Sequence, residues 1–193
     1  MSESVTDAVA AHLRAAVGTE PQRASVTFLG LEPMDVLRFA TDDGVVFASV
    51  GCSRHPMTDP TGFDVDPLRG PRAEVVVRMR SAGDLAGLHR SLAVLAAAPA
   101  VEGMVLVPDA LVDLSEPLWT GSSCTAVVLQ ADVVEQCPLP APMSPVEFLR
   151  AVPITANEAA WVRLRGVDEL RRAWTEAGVD IADPHRVAVD PGA

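Results

Sequence analysis

Lysine and tyrosine are absent from the 193 residues, so all 15 basic side chains besides histidine are arginine. Without lysine there is no Schiff base, no P-loop lysine and no lysine general base. Three cysteines (Cys52, Cys124, Cys137), an odd number with no short paired spacing, argue against a disulfide framework. The longest apolar run, residues 92–101, is too short to span a bilayer and contains Pro99. The N-terminus is acidic and lacks the basic start of a secretion signal. There is no internal repeat, no Gly-x-Gly-x-x-Gly and no P-loop, so no nucleotide or other cofactor is expected. A net charge of −11 and a pI near 4.7 leave no basic face for nucleic acid or for an anionic membrane. Together these point to a soluble protein of a reducing cytoplasm.

What is present is apolar material enough for one sizeable core, 49% of the chain, and a single domain over 1–193 is expected. Ser4-Val5-Thr6-Asp7 fits a capping box, opening a helix with Val5, Val9, Leu13 and Val17 on one stripe and Gly18 as its stop. Residues 24–31, 36–41 and 45–50 read as strands, the last two joined by a hairpin at Asp42-Asp43-Gly44. Residues 72–80 form a further strand. Asp84 is placed to cap a helix through Leu85, Leu88, Leu92 and Leu95 that Pro99 ends. Pro108 interrupts 105–114 into short edge pieces. Residues 125–134 read as a strand and the proline-rich 137–145 as an extended connection. Residues 183–189 read as a last strand.

The most ordered signal is the stretch 146–158. Its Val, Phe and Ile content gives a strand, in which Pro153 is expected to stop or bulge the pairing. Thr155-Ala156-Asn157-Glu158 then fits a capping box, so the strand feeds straight into a helix. Trp161, Leu164, Leu170 and Trp174 share a packed face if that helix bends at Gly166. Hairpin-linked strands with inserted helices, lacking strict β-α-β alternation, make an α+β domain: a mixed, largely antiparallel sheet covered by helices.

Among chemical groups, Cys52 and His55 form the sharpest local pair. A thiol beside an imidazole, with Asp59 or Asp64 as orienter, is the signature of a thiol-dependent hydrolase. Cys-x-x-His is also half a zinc site, but the sequence supplies no second half, so no metal is expected. Gly121-Ser122-Ser123-Cys124 breaks the nucleophile-elbow pattern at Thr125. Glu158 is explained as a cap, and Glu147 and Glu169 as solvated. The long irregular, acidic segment at 59–72 is the best binding candidate, because its carboxylates can meet arginine or lysine on a partner. The expected contact set is Arg54, His55, Asp59, Asp64, Asp66 and Arg72.

Four pieces in order resemble the suppressor-of-fused domain. Phe47-Ala48-Ser49-Val50-Gly51-Cys52-Ser53 is similar to its strand ending in a Gly-x-Ser turn. Ala73-Glu74-Val75-Val76-Val77-Arg78-Met79 resembles its Glu-Leu-x-x-Arg strand. The block from Val146 through Thr155 to Glu158 is similar to its most recognisable segment, and Ile181-Ala182-Asp183-Pro184-His185-Arg186 to its closing Asp-x-x-Arg. The resemblance spans about residues 25–190. It implies a non-enzymatic α+β domain that binds a protein. In animals such a domain, followed by a second one, sequesters a zinc-finger transcription factor of the Hedgehog pathway, which adds as an extended strand. Bacterial stand-alone copies act as immunity proteins against toxins. Here the chain ends at Ala193 without a second domain, and Val107-Pro108-Asp109-Ala110 replaces the Gly-Asp usual before the strand near Val112. The expectation carried forward is therefore the binding mode: a cytoplasmic immunity or scaffold protein for a protein partner, a toxin among the candidates.

Overall fold

The computed structural model describes residues 4–58, 66–80, 83 and 85–189. One seven-stranded sheet organises them, in the order β1-β2-β3-β4-β7-β6-β5. The strands are β1 (Gln22–Val26), β2 (Met34–Thr41), β3 (Gly44–Val50), β4 (Arg72–Met79), β5 (Leu111–Asp113), β6 (Cys124–Ala131) and β7 (Val146–Thr155). All neighbours pair antiparallel except β4 and β7, which run parallel from Arg72↔Val146 to Val76↔Arg150. This is the α+β domain with a mixed, largely antiparallel sheet that the sequence announces.

Four helices cover the sheet: α1 (Val5–Val17), α2 (Leu88–Glu102), α3 (Ala156–Arg165) and α4 (Val167–Glu176). Side chains alternate across a strand, so β7 sorts the covers. Leu149 and Ala151 join the core under α2, with Val75, Val77, Leu92 and Trp119. Val146 and Phe148 lie on the other face under α1, with Val9, Leu13 and Phe39. Val152 and Ile154 continue that face under α3 and α4, against Ala159, Leu170 and Trp174. One side thus carries α2, and the opposite side carries α1 and the α3–α4 pair next to each other.

Local chemistry explains most boundaries. The Ser4 hydroxyl accepts from the Asp7 N–H, and Gly18 ends α1 in the left-handed region at φ 79°. At the head of α3 both halves of the capping box are made, Glu158 N–H to Thr155 Oγ1 at 3.3 Å and Thr155 N–H to Glu158 Oε2 at 2.9 Å. The β2–β3 hairpin turns at Asp42-Asp43, and Gly44 opens β3 with φ 146°. A Cβ on Gly44 would sit 2.1 Å from the Met79 carbonyl oxygen. Gly44→Ala should therefore cost about 2–3 kcal/mol, the scale of a strained backbone site, and lower the thermal midpoint accordingly. An unchanged melting curve by circular dichroism would contradict that packing.

Several expectations need correction. Pairing does not stop at Pro153, which faces Val127 on β6. The Leu129 N–H donates toward β5, to the Ala110 carbonyl, so Val127, two residues earlier, also turns its main chain that way. Pro153 is thus a non-hydrogen-bonded pair, and its missing N–H points to a side where the β4 ladder has already ended at Arg150. The helix through Leu92 begins at Gly87 without a side-chain cap and continues past Pro99 to Gly103, whose N–H donates to the Pro99 carbonyl. Pro99 forfeits its own hydrogen bond and crowds the carbonyl one turn before it, but the helix runs on. Asp84 lies outside the described residues. The first β-segment is shorter than read, ending at Val26. Residues 183–189 form turns and coil, not a strand. Leu164 is 79% exposed and packs with neither tryptophan's core.

Candidate partner-binding site

β3 runs out at Val50, and the chain folds into a single 3-10 turn, Cys52–Arg54. Glu74 of β4, wholly buried, holds that turn by its donors. It accepts from Ser49 Oγ (2.5 Å), Gly51 N (2.8 Å), Ser53 N (3.0 Å) and Ser53 Oγ (2.6 Å). Hydrogen bonds to a carboxylate are the strong kind, and here they satisfy main-chain donors that no strand reaches. Arg72, two residues earlier and only 2% exposed, holds the same turn by its acceptors. Its Nη1 donates to the Ser53 and Arg54 carbonyls (2.7 and 2.8 Å) and its Nη2 to the Leu68 carbonyl (3.2 Å). Burial pushes the Arg72 guanidinium below its usual pKa.

The clamped turn projects Arg54 and His55 toward Glu32, an exposed residue of the loop before β2. Glu32 Oε2 lies 3.7 Å from Arg54 Nε and 3.9 Å from His55 Nε2, and the His55 side chain is 83% exposed. The three line a groove of about 430 Å³ together with Leu31, Pro99 and Ala100. Asp66 caps its own turn, accepting from the Leu68 and Arg69 N–H groups (2.9 and 3.1 Å), which hold its carboxyl below the usual range. The loop is tied to the body where Gly70 N donates to Ser144 Oγ. Of the six expected contact residues, the structure brings Arg54, His55 and Arg72 together at one turn, while Asp66 caps a separate turn whose Leu68 carbonyl Arg72 also holds. Arg72 is inside it as a support, not a surface group. Asp59 and Asp64 lie outside the described residues.

The thiol pairing is not built for catalysis. Cys52 is 8% exposed, and burial, then the nearby Glu74 charge, push its thiol well above the ordinary value. An attacking cysteine needs the opposite shift. His55 faces solvent and Glu32. Among the described residues no cluster of three or more His, Cys, Asp or Glu side chains is arranged to hold a metal ion. Nor is any helix among them long and apolar enough to cross a membrane.

Two strands end the sheet, β1 and β5. Leu114 N–H donates to the Thr125 carbonyl on β6, so Leu111 and Asp113 turn their main chain away from the sheet. The Pro108-interrupted segment is therefore an edge, as read, though the strand within it is three residues long. Asp113 is engaged by Arg163 of α3 at 2.6 Å.

Sequence reasoning missed Glu32, a lone acid in a loop that carries no local signal. It also missed the buried carboxylates. Glu74 sits between Ala73 and the run Val75-Val76-Val77, and that apolar setting was its available clue. Glu158 is more than a cap: Arg186 Nη1 and Nη2 donate to it at 2.8 Å each, and Trp174 Nε1 at 3.1 Å.

The family described as Suppressor of fused protein (SUFU) matches residues 30–187, most of the chain. The chain belongs to the suppressor of fused family. Solved structures agree on the fold. A suppressor of fused homolog from Neisseria gonorrhoeae FA 1090 has a TM-score of 0.64 at 19% identity, with 95% of this chain and 96% of that chain covered. A chain of the Sufu–Fu complex gives 0.67 at 12% identity, with 97% and 93% covered. Drosophila Suppressor of Fused gives 0.64 at 14% identity; there 97% of this chain spans 51% of that one, about half its length. No match is found among curated proteins.

Proposed function

We propose that this domain is a non-enzymatic, cytoplasmic protein-binding module that sequesters a protein partner, as an immunity or scaffold protein, with a toxin among the candidate partners. The observation that carries this reading is the turn at Gly51–His55. A buried carboxylate and a buried guanidinium fix it from both sides, and it presents the exposed His55 and the partly exposed Arg54 beside a groove. Such rigidity lowers the entropic cost of ordering an interface. The likeness to a chain seen in the Sufu–Fu complex supports a protein as the ligand. The free sides of β1 and β5 offer main-chain groups for strand addition, and the charge of −11 steers a basic partner.

The test is capture of a partner identified by cross-linking mass spectrometry from the producing cell. Arg54→Ala with His55→Ala, and separately Asp59→Ala, Asp64→Ala with Asp66→Ala, should each weaken partner affinity about tenfold or more, the scale of losing interface hot spots. Loss of the 83% exposed His55 side chain should leave the melting temperature near that of the parent, whereas Arg54, 21% exposed, and Asp66, which accepts two main-chain hydrogen bonds, should each lower it by about 2–4 °C per kcal/mol lost. Unchanged affinity in both variants would remove the turn and the acidic loop from the interface.

The hydrolase alternative has its own check. At neutral pH, iodoacetamide should label Cys52 more slowly than free cysteine, because burial holds the thiol protonated. Faster labelling than free cysteine would restore the enzyme reading.

A further inference from the structure

On the face shared by α1 and the α3–α4 pair, the two covers leave a seam. Phe148 lies under α1 and Val152 under α3–α4, and Arg150 stands between them on β7. On the neighbouring strand Arg78 makes a two-pronged contact with Asp132, Nε to Oδ2 at 2.8 Å and Nη2 to Oδ1 at 2.5 Å. Arg80 pairs with Asp180. Over this floor runs a groove of about 710 Å³, walled by Ala16 and Val17 at the end of α1, by Val133, and by Ala182 beyond α4. That volume is in the range of ligand sites.

Arg150 is half-buried, yet among the described residues its side chain donates no hydrogen bond and joins no ion pair. The carboxylates that act on it, Asp132 and Asp180, are already taken by Arg78 and Arg80. Burial, and the like charge of Arg78, both disfavour its cation. A planar guanidinium with open donors at the bottom of a groove fits a carboxylate. The rim has the opposite sign: Asp43 and Glu135 line it, both exposed and neither in an ion pair among the described residues. A phosphate dianion would meet these rim acids on its way to Arg150, whereas a carboxylate flanked by cations would be matched at both levels.

We propose that this groove binds a single acidic side chain on an extended segment of a protein partner, with basic residues on either side of it meeting Asp43 and Glu135. The proposal rests on the protein-binding function above and adds a second contact surface, on the seam between helical covers.

The experiment titrates the full chain, labelled with nitrogen-15, with three probes followed by NMR. They are the capped peptide Arg-Ala-Glu-Ala-Arg, its counterpart with glutamine at the centre, and inorganic phosphate. The glutamate peptide should give saturable shifts at the Arg150 Nε–H and the Val133 and Val134 amides. Binding should be at least tenfold weaker for the glutamine peptide and for Arg150→Met, and phosphate should not saturate. Arg150→Met should melt close to the parent, because relief of the buried cation offsets the lost attraction to Asp132 and Asp180; should it fail to fold, Arg150→Gln takes its place. Equal binding of the glutamine peptide, saturation by phosphate, absence of saturable shifts with the glutamate peptide, or full binding by the Arg150 variant would each overturn the proposal. If the domain captures a partner while the glutamate peptide stays silent, the groove falls and the protein-binding function stands. If the peptide titrates as expected but no partner is captured, the groove's recognition of a carboxylate stands and the sequestering role falls.

Discussion

Glu74→Ala is expected to lower the melting temperature by about 10 °C or more. The carboxylate accepts four hydrogen bonds in the interior, two of them from the main-chain N–H groups of Gly51 and Ser53. Alanine leaves those donors buried without an acceptor, at about 1–3 kcal/mol each, and opens a cavity besides. A total near 3–5 kcal/mol moves the midpoint of a domain this size by roughly 2–4 °C per kcal/mol. Glu74→Gln keeps an acceptor for Gly51 and Ser53 and should lose about half as much. Calorimetry on the two variants decides the matter: a Glu74→Ala midpoint within 2–3 °C of the parent would mean the turn is held by something else. The same variant should loosen Arg54 and His55, so partner affinity should fall with stability.

Arg186→Met carries the second large effect. The Glu158 side chain is 0% exposed and that of Arg186 6%, so the pair is enclosed. Removing the cation leaves a buried carboxylate uncompensated, at about 3–5 kcal/mol. The pH dependence follows from the sign of the shift. Burial alone would raise the Glu158 pKa, but Arg186, the Thr155 N–H and the Trp174 indole outweigh it and hold the group below its ordinary 4.5. The parent therefore has this stabilisation in full above about pH 4.5 and loses it as pH falls through the lower folded value. In Arg186→Met the main lowering influence is gone, leaving the Thr155 N–H and the Trp174 indole against burial, and protonation relieves the buried charge. The stability gap between parent and variant should narrow as the solution is acidified. Denaturant melts at neutral and acid pH measure it, and a gap that stays constant or widens toward acid would contradict the pairing. Glu158→Leu with Arg186→Met should recover part of the loss, because two apolar groups need no compensation.

Much of this fold is written in short-range chemistry. The Ser4 and Thr155 caps, the Asp42-Asp43-Gly44 hairpin and the strand that leads directly into α3 all rest on contacts within a few residues, so their spacing is visible in the chain. Pro153 shows where that stops. The composition says that a donor is missing, but only the register with β6 says that no acceptor waits for it. Residues 183–189 read as a last strand in the sequence. Their place is instead set by Arg186 reaching across the chain to Glu158, a contact no window contains. The site divides the same way. Arg54, His55 and Asp66 were identifiable as polar groups in an irregular segment. The burial of Arg72 was not, because its acceptors are main-chain carbonyls of another loop. Glu32 joins them through tertiary folding alone.

The one parallel seam, between β4 and β7, also orders the assembly of the molecule. On one side of it β1 to β3 are joined by short connections and residues 51–71 lead on to β4; on the other β5, β6 and β7 follow one another along the chain. Each half can gather its strands from near neighbours. The seam cannot, since its partners are separated by α2 and all of β5 and β6, and closing that span costs chain entropy before any bond rewards it. Arg72 and Glu74 lie on this seam, opposite Val146 and Phe148. The residues that brace the Gly51–His55 turn thus sit on the strand that joins the two halves, paired with β3 on one side and β7 on the other.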